Sequence, residues 1–281
     1  MDFKDKVVVI TGAGSGIGQA LAFNLAKEGS CLAVADINKQ ALAKTVEALS
    51  TCNCKVTAHV VDVARRDQVS RFAAEVIEQH GKVDIVVNNA GVALMESIDD
   101  VKYDDLEWIV NINFWGVVYG TKAFLPYLKE RPEAYIVNMS SIAGLAGLPV
   151  QAAYSATKFA IRGFTEAIRL ELANTPIRVF CVHPGGVKTD IVRNARYYKN
   201  PDKLDELPNQ MAGAERFDTH FAITTADEAA KKIIKCMRTK TNKSRILIGW
   251  DARFVDWVSR FFPNLYPKAI EVFGKYSSHR K

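Results

Sequence analysis

Residues 6–18 read KVVVITGAGSGIG, and the reading of this stretch decides the fold. Residues 6–11 form a short, unbroken apolar run rich in β-branched side chains, the pattern of a strand buried on both faces of a sheet. Glycines at 12, 14, 16 and 18 follow, and residues 17–27 recur with helical period, Leu21 and Leu25 sharing a side. Strand, glycine turn and helix make the opening βα unit of a parallel sheet. Working outward, the alternation continues. Strands are predicted over 31–36, 55–61, 83–87, 134–140, 177–183 and 245–249, with helices over 37–49, 67–79, 103–130, 154–173 and 226–238. The long helix over 103–130 is expected to stop at Pro132, and residues 190–222 show no period. The prediction is α/β: a single-domain Rossmann fold, a doubly wound parallel sheet of about seven strands with helices on both faces. Residues 1–250 carry that domain, and 251–281 read as a basic, amphipathic C-terminal extension.

Bulk properties narrow the function. The chain has 281 residues, 48% hydrophobic and 24% charged, as in ordinary globular proteins. No run approaches the roughly 18 apolar residues that span a bilayer, and the polar start MDFKDK is not a secretory signal. Five scattered cysteines without a CxxC pair read as reduced thiols, so a cytoplasmic location is expected. The formal charge of +6 is uneven: residues 226–281 hold thirteen Lys/Arg against five Asp/Glu, and the first 225 residues carry a net −2. A nearly neutral catalytic part argues against nucleic acid as a substrate.

The glycine turn implies a dinucleotide. Gly12, Ser15, Gly16, Ile17 and Gly18 place backbone amides at a helix N-terminus, where the positive end of the dipole receives a pyrophosphate. Asp36 ends the second strand 18 residues after Gly18, close to the position of an acid that binds the adenosine ribose hydroxyls. A carboxylate there repels a 2′-phosphate and favours NAD over NADP. The alternative for Asp36 is a cap for the helix that starts near Asn38. The five histidines show no ligand spacing, and no metal is implied.

In this setting the chain resembles the short-chain dehydrogenase/reductase family. The resemblance rests on TGAGSGIG at 11–18, Asp62-Val63, NNAG at 88–91, Asn113, Ser141, the YxxxK of Tyr154 and Lys158, Pro184-Gly185 and Thr189, and runs from about residue 5 to residue 250. Taken alone, Tyr154 and Lys158 lie i and i+4 on one helix face. A tyrosine with a pKa of about 10 is a poor base at neutral pH, and a nearby ammonium is expected to lower that value.

The resemblance adds roles. Tyr154 exchanges a proton with the substrate oxygen, Lys158 also binds the nicotinamide ribose, and Ser141 holds the substrate oxygen. Asn113 supports a water chain. Asp62 and Val63 meet the adenine, while Asn89, Ala90 and Gly91 line the adenine ribose. Pro184, Gly185, Val187 and Thr189 meet the nicotinamide. The implied activity is NAD(H)-dependent interconversion of an alcohol and a ketone, in a homodimer or homotetramer.

Apolar residues near the reacting position (Leu94, Met95, residues 142–148 and Val187) point to a hydrophobic secondary alcohol or ketone. Residues 190–222 are the expected substrate loop, in which Arg193 and Arg196 either meet a carboxylate or are solvated, the second being favoured. In the C-terminal stretch, Phe254, Val255, Trp257, Val258, Phe261 and Phe262 fall on one helical face. A packing or subunit contact is the favoured use, then a wall of the substrate pocket, and last an interfacial membrane helix. Two rival readings remain: a same-fold epimerase or dehydratase, and a non-catalytic NAD(H)-binding redox sensor.

Overall fold

Strands whose successive residues face opposite sides must be apolar throughout when both sides are covered, and the first strand shows this directly. In the computed structural model, which describes residues 1–197, 223–266 and 268, β1 (Val7–Thr11) sends Val8 and Ile10 into one core and Val7 and Val9 into the other. The first core lies under α1 (Gly16–Lys27) and α2 (Lys39–Leu49), through Leu21, Leu25 and Leu42. The second lies under α3 (Arg66–His80), where Phe72 contributes. Between these helices run β2 (Cys31–Asp36), β3 (Val56–Val60) and β4 (Ile85–Asn88).

Beyond β4 come a two-residue strand β5 (Leu94–Met95), α4 (Tyr103–Val110), α5 (Gly116–Lys129), β6 (Ala134–Met139), α6 (Ala152–Glu171) and β7 (Ile177–Pro184). Short pairings join β5 to β9 (Arg196–Tyr197) and β8 (Val187–Lys188) to β10 (Thr224–Thr225). The described chain closes with α7 (Ala226–Arg238), β11 (Arg245–Ile248) and α8 (Trp250–Phe261). The main sheet has seven parallel strands in the order β3-β2-β1-β4-β6-β7-β11, the doubly wound α/β architecture that the sequence predicts.

Three details differ from the sequence reading. The helix over 103–130 is not continuous. A π-helical turn, Asn111–Trp115, separates α4 from α5 and delivers Asn113 to the interior, fully buried. Hydrophobic period carries no mark of such an insertion. Arg196 is not simply solvated: its Nη1 donates to Oδ1 of buried Asp105 at 2.8 Å, and its guanidinium stacks 3.6 Å from the Trp108 ring centroid. The apolar positions of α8 divide. Val258, with Ala252, is buried, while Phe254, Trp257 and Phe261 are exposed. Residues 198–222 of the expected substrate loop, and 267 and 269–281 of the extension, lie outside the described residues.

Two histidines, His183 fully buried and His80 half-buried, tie stability to pH. His183 is fully buried, its Nδ1 2.9 Å from the Ser141 carbonyl oxygen, and its Nε2 has no partner among the described residues. His80 meets Thr57 Oγ1 through Nε2 at 2.9 Å, and its buried Nδ1 has no partner among the described residues. Burial, chiefly, pushes both imidazoles down to about 4 from 6.5. Below pH 6.5 the unfolded chain therefore takes up protons that the folded chain refuses, and stability falls as the pH drops toward 4. For His183 alone the predicted loss between pH 7 and about 4.5 is roughly 2–3 kcal/mol. Urea unfolding at the two pH values measures it, and His183→Gln is expected to flatten the dependence.

Candidate active site

Strand order reverses direction at β1 and β4, and the crevice outside their carboxyl ends is where open α/β sheets bind ligands. Four segments meet there: the glycine turn after β1, Asn89 to Gly91 after β4, Ser140 and Ser141 after β6, and the Pro184-Gly185-Gly186 turn at the end of β7.

The first two segments are stitched together. Thr11 Oγ1 accepts hydrogen bonds from the backbone amides of Asn89 and Ala90, each at 3.1 Å. In return, Asn89 Nδ2 donates to the carbonyls of Thr11 and Gly12 at 2.9 and 3.1 Å. The approach is close enough that a Cβ on Gly12, whose φ is +66°, would stand 2.8 Å from Ala90 Cα. A Cβ on Gly18 would collide with the Gly12 carbonyl oxygen. Gly16, at φ +55°, faces Thr189. Ser15 occupies the N-cap of α1 without a side-chain capping bond, and Ile17 packs on the core.

Asp36 stands at the end of β2, partly exposed. Its Oδ2 accepts from the Gly14 amide and its Oδ1 from the Asn38 amide, both at 2.8 Å. Asn38, not Asp36, caps α2, accepting from the Gln40 and Ala41 amides. The carboxylate is thus fixed in orientation while keeping acceptor capacity. At the neighbouring strand end, Asp62 Oδ1 accepts from the Ala64 amide at 2.9 Å, and Val63 packs where a Cβ on Gly116 would stand 2.9 Å from its Cγ2.

The structure also brings Asn113, Ser141, Tyr154 and Lys158 together. The N-terminal part of α6 presents Tyr154 and Lys158 one turn apart, with the lysine Nζ 5.4 Å from the tyrosine ring centroid. The side chain of Ser141 faces the Tyr154 hydroxyl and caps the short 3₁₀ turn Ile142–Gly144 by accepting from the Ala143 amide at 3.2 Å. Lys158 is buried, donates to the Met139 carbonyl at 3.1 Å, and is anchored by Ser140 Oγ donating to its backbone oxygen at 2.8 Å. Asn113 donates to the Val92 carbonyl at 3.0 Å and to Thr157 Oγ1 at 3.1 Å, and accepts from the Val92 amide at 2.9 Å. Gly91 lies between the two groups: a Cβ there would stand 3.1 Å from Asn113 Oδ1 and 3.4 Å from Lys158 Nζ.

The electrostatics differ from the simple expectation for a tyrosine beside a lysine. Burial pushes the Tyr154 hydroxyl above its ordinary value, and the nearby Ser141 side chain opposes that. Lys158, its ammonium drawn to the Met139 carbonyl, is itself pushed down to about 8, chiefly by burial.

The sequence reading missed Asp251. This residue, in the first turn of α8, accepts from the Gly186 amide through Oδ2 at 2.6 Å, and any Cβ on Gly185 would strike its carboxylate. Its only sequence signal is a glycine, Gly249 at φ +91°, two residues before it. Around the site, Leu94, Leu145, Ala146 and Val187 are buried, while Met95, Ile142 and Leu148 are partly exposed. Among the described residues no three His, Cys, Asp or Glu side chains are grouped to hold a metal ion.

Comparison with known proteins agrees with this geometry. The family model for short chain dehydrogenases matches residues 6–200. The chain is 42% identical over 270 residues to the Mycobacterium tuberculosis protein named as the oxidoreductase SadH, covering 95% of each. It is 35% identical over 208 residues to the 3-oxoacyl-[acyl-carrier-protein] reductase FabG of Thermotoga maritima, covering 74% of this chain and 85% of that one. The crystal structure of a short-chain dehydrogenase/reductase from Burkholderia phymatum in complex with NAD superposes with a TM-score of 0.81 at 29% identity, covering 97% of this chain and 96% of that one. The chain belongs to the short-chain dehydrogenase/reductase family, and it is an oxidoreductase.

Proposed function

We propose that this oxidoreductase uses NAD(H) to interconvert a hydrophobic secondary alcohol and its ketone. The observation that carries the reading is the convergence of Ser141, Tyr154, Lys158 and Asn113 beside a glycine cradle whose far wall is Asp36. The cradle fits a dinucleotide: positive-φ glycines leave room for a pyrophosphate against the amides of Gly16, Ile17 and Gly18. Asp36 would take the adenosine ribose, Asp62 and Val63 the adenine, and Asn89, Ala90 and Gly91 the ribose attached to it. Pro184, Gly185, Val187 and Thr189 would face the nicotinamide, with Tyr154 and Lys158 on its ribose. Bound NAD supplies the hydride acceptor.

The protein's own groups supply position and the proton. Ser141 would hydrogen-bond the substrate oxygen, and Tyr154 would give its phenolic proton to a developing alkoxide, or take one from the alcohol. Lys158 supplies positive charge one turn away. Asn113 holds Thr157 and Val92, and so fixes the floor on which Lys158 rests. The partly exposed Met95, Ile142 and Leu148 favour a greasy substrate, and a relative named as a 3-oxoacyl reductase supports chemistry at a carbonyl carbon. The intact Ser-Tyr-Lys arrangement favours turnover over a sensor role. We also infer a homodimer or homotetramer, supported by exposed Trp115 and Phe159 on the flank of the second core, and a cytoplasmic location, supported by five unpaired thiols.

The direct test is NADH formation from NAD, or NADPH from NADP, with a panel of secondary alcohols from short acyloins to sterols. Tyr154→Phe is predicted to lower kcat by about 10²–10⁴-fold while NADH binding, read by fluorescence, weakens by no more than about tenfold, the loss of one ribose hydrogen bond. Undiminished turnover in that variant would remove Tyr154 from the chemistry.

Asp36→Ala is predicted to weaken NAD and to bring the two cofactors within about tenfold of each other, as expected on losing one charged hydrogen bond. A wild-type preference for NADP would overturn the assignment of Asp36. Because the Tyr154 hydroxyl is held above its ordinary value, kcat/KM for alcohol oxidation is predicted to keep rising with pH beyond about 9. Ketone reduction, which uses the neutral phenol, is predicted to stay flat between about pH 6 and 8. Stopped-flow rates from about pH 6 to about pH 10 measure both.

A further inference from the structure

Beside the reactive groups lies a fully buried side chain that the proposed chemistry leaves unused. His183, next to last in β7, shares its side of the sheet with Ile177 and Val179 of the second core, where Ile168 of α6 also packs. On stability alone histidine is a poor choice there. Its Nδ1 lies 2.9 Å from the Ser141 carbonyl oxygen, and its buried Nε2 has no partner among the described residues. Burial holds the ring neutral, with a pKa of about 4. A carbonyl oxygen only accepts, so the proton is on Nδ1, and the lone pair of Nε2 is the group left unsatisfied. An aliphatic side chain would carry no such cost. Folds accept costs of this kind chiefly at functional sites.

What the Nδ1 bond achieves follows from how the ladder between β6 and β7 ends. The Ser140 amide donates to the Val182 carbonyl at 2.8 Å. The next rung of a parallel ladder would come from the amide of residue 184, and Pro184 has none. One residue further the chain leaves the sheet for the Ile142–Gly144 turn. The His183 side chain takes over at that point, reaching the Ser141 carbonyl that backbone pairing does not.

The other bond to this carbonyl, from the Gly144 amide at 2.9 Å, lies within the turn and moves with it. Arg162 of α6 holds the far end of the turn, donating to the Gly144 carbonyl at 3.3 Å. Ser140 through its amide, and Ser141 through its carbonyl, are thus tied to successive residues of β7. With the backbone fixed and Oγ accepting from the Ala143 amide, the Ser141 hydroxyl keeps one direction, toward Tyr154.

We propose that His183 is a positioning residue for the reaction: by donating from Nδ1 to the Ser141 carbonyl, it aims the Ser141 hydroxyl at the substrate oxygen. This rests on Ser141 meeting that oxygen, as proposed above. Leucine and asparagine have nearly one shape and differ in the donor, so the pair isolates the bond. The assay uses NAD and the secondary alcohol, from short acyloins to sterols, that the wild-type chain oxidises fastest. His183→Leu is expected to lower kcat by about 10–100-fold, the cost of a misplacement of up to about 1 Å, with NADH binding unchanged. His183→Asn, whose amide nitrogen stands where Nδ1 does, is expected to recover kcat to within about threefold of wild type. In a Ser141→Ala background, adding His183→Leu is expected to change kcat by less than about threefold, because its effect passes through the missing hydroxyl.

An equal loss in both backgrounds, or an asparagine variant no better than leucine, would overturn the proposal. Wild-type kcat in His183→Leu would do the same and leave the assigned chemistry intact. Wild-type kcat in Ser141→Ala, or no turnover of any alcohol, would remove the role of Ser141 and this inference with it. If the leucine variant does not melt cooperatively, His183→Gln, whose amide nitrogen corresponds to Nε2, takes its place with the same expectations. Magnetic resonance of the chain carrying isotope-labelled histidine reads the tautomer at neutral pH without any substrate. The Nδ1-protonated form is expected, and the Nε2-protonated form would contradict the proposal.

Discussion

The site depends on one close approach, between the turns that leave β1 and β4. Thr11, Gly12, Asn89 and Ala90 exchange four hydrogen bonds across it, and the backbones come near enough that Gly12 has no room for a Cβ. This contact fixes where the glycine turn begins and therefore where the N-terminus of α1 points. It also fixes Gly91, and through Gly91 the space in which Asn113 and Lys158 can sit. Lengthening either turn by one side chain would separate the cradle from the reactive groups, because each is referenced to the same four residues.

A second constraint, hydrogen bonding in the interior, locks the reactive side to the sheet. Asn88 donates to Asn138 and Thr121, and Asn138 donates to Thr165 on α6. Ser140 holds the Lys158 carbonyl, and Thr157 receives Asn113. Buried polar groups of this kind are costly unless paired, and here the pairing sets the height of α6 against β6. Tyr154 and Ser141 face each other as a consequence of that placement. At the far end, Asp251 carries the same logic to the Gly185-Gly186 turn, so that α8 is coupled to the site through one carboxylate.

The sheet was legible because its strands are short apolar runs bounded by glycine and proline, and the order of strands follows once the crossovers are right-handed. Tyr154, Lys158 and Ser141 were legible through the resemblance to the family, which gave meaning to a YxxxK on one helix face and a serine at a strand end that carry little alone. What could not be read was anything decided by backbone irregularity or by long-range polar contacts. The π turn that buries Asn113 leaves the apolar period of 103–130 intact, and Asp251 looks like any acidic residue in a first helical turn. The partner of Arg196 lies 91 residues away in Asp105. The aromatic residues of α8 have the right period for a buried face, and only their surroundings reveal which of them the fold leaves outside. The charge states of Tyr154 and Lys158 likewise follow from burial and from the Met139 carbonyl, neither of which spacing encodes.

The central claim is that the groups gathered at the carboxyl ends of the strands direct a hydride between NAD(H) and a carbonyl carbon. It is tested most directly with NADH deuterated at C4, each face in turn, and a panel of hydrophobic ketones, with the products read by mass spectrometry. The account predicts that deuterium from one face alone appears on the carbinol carbon of the alcohol formed. Tight binding of NADH without deuterium in any product of the panel would contradict it.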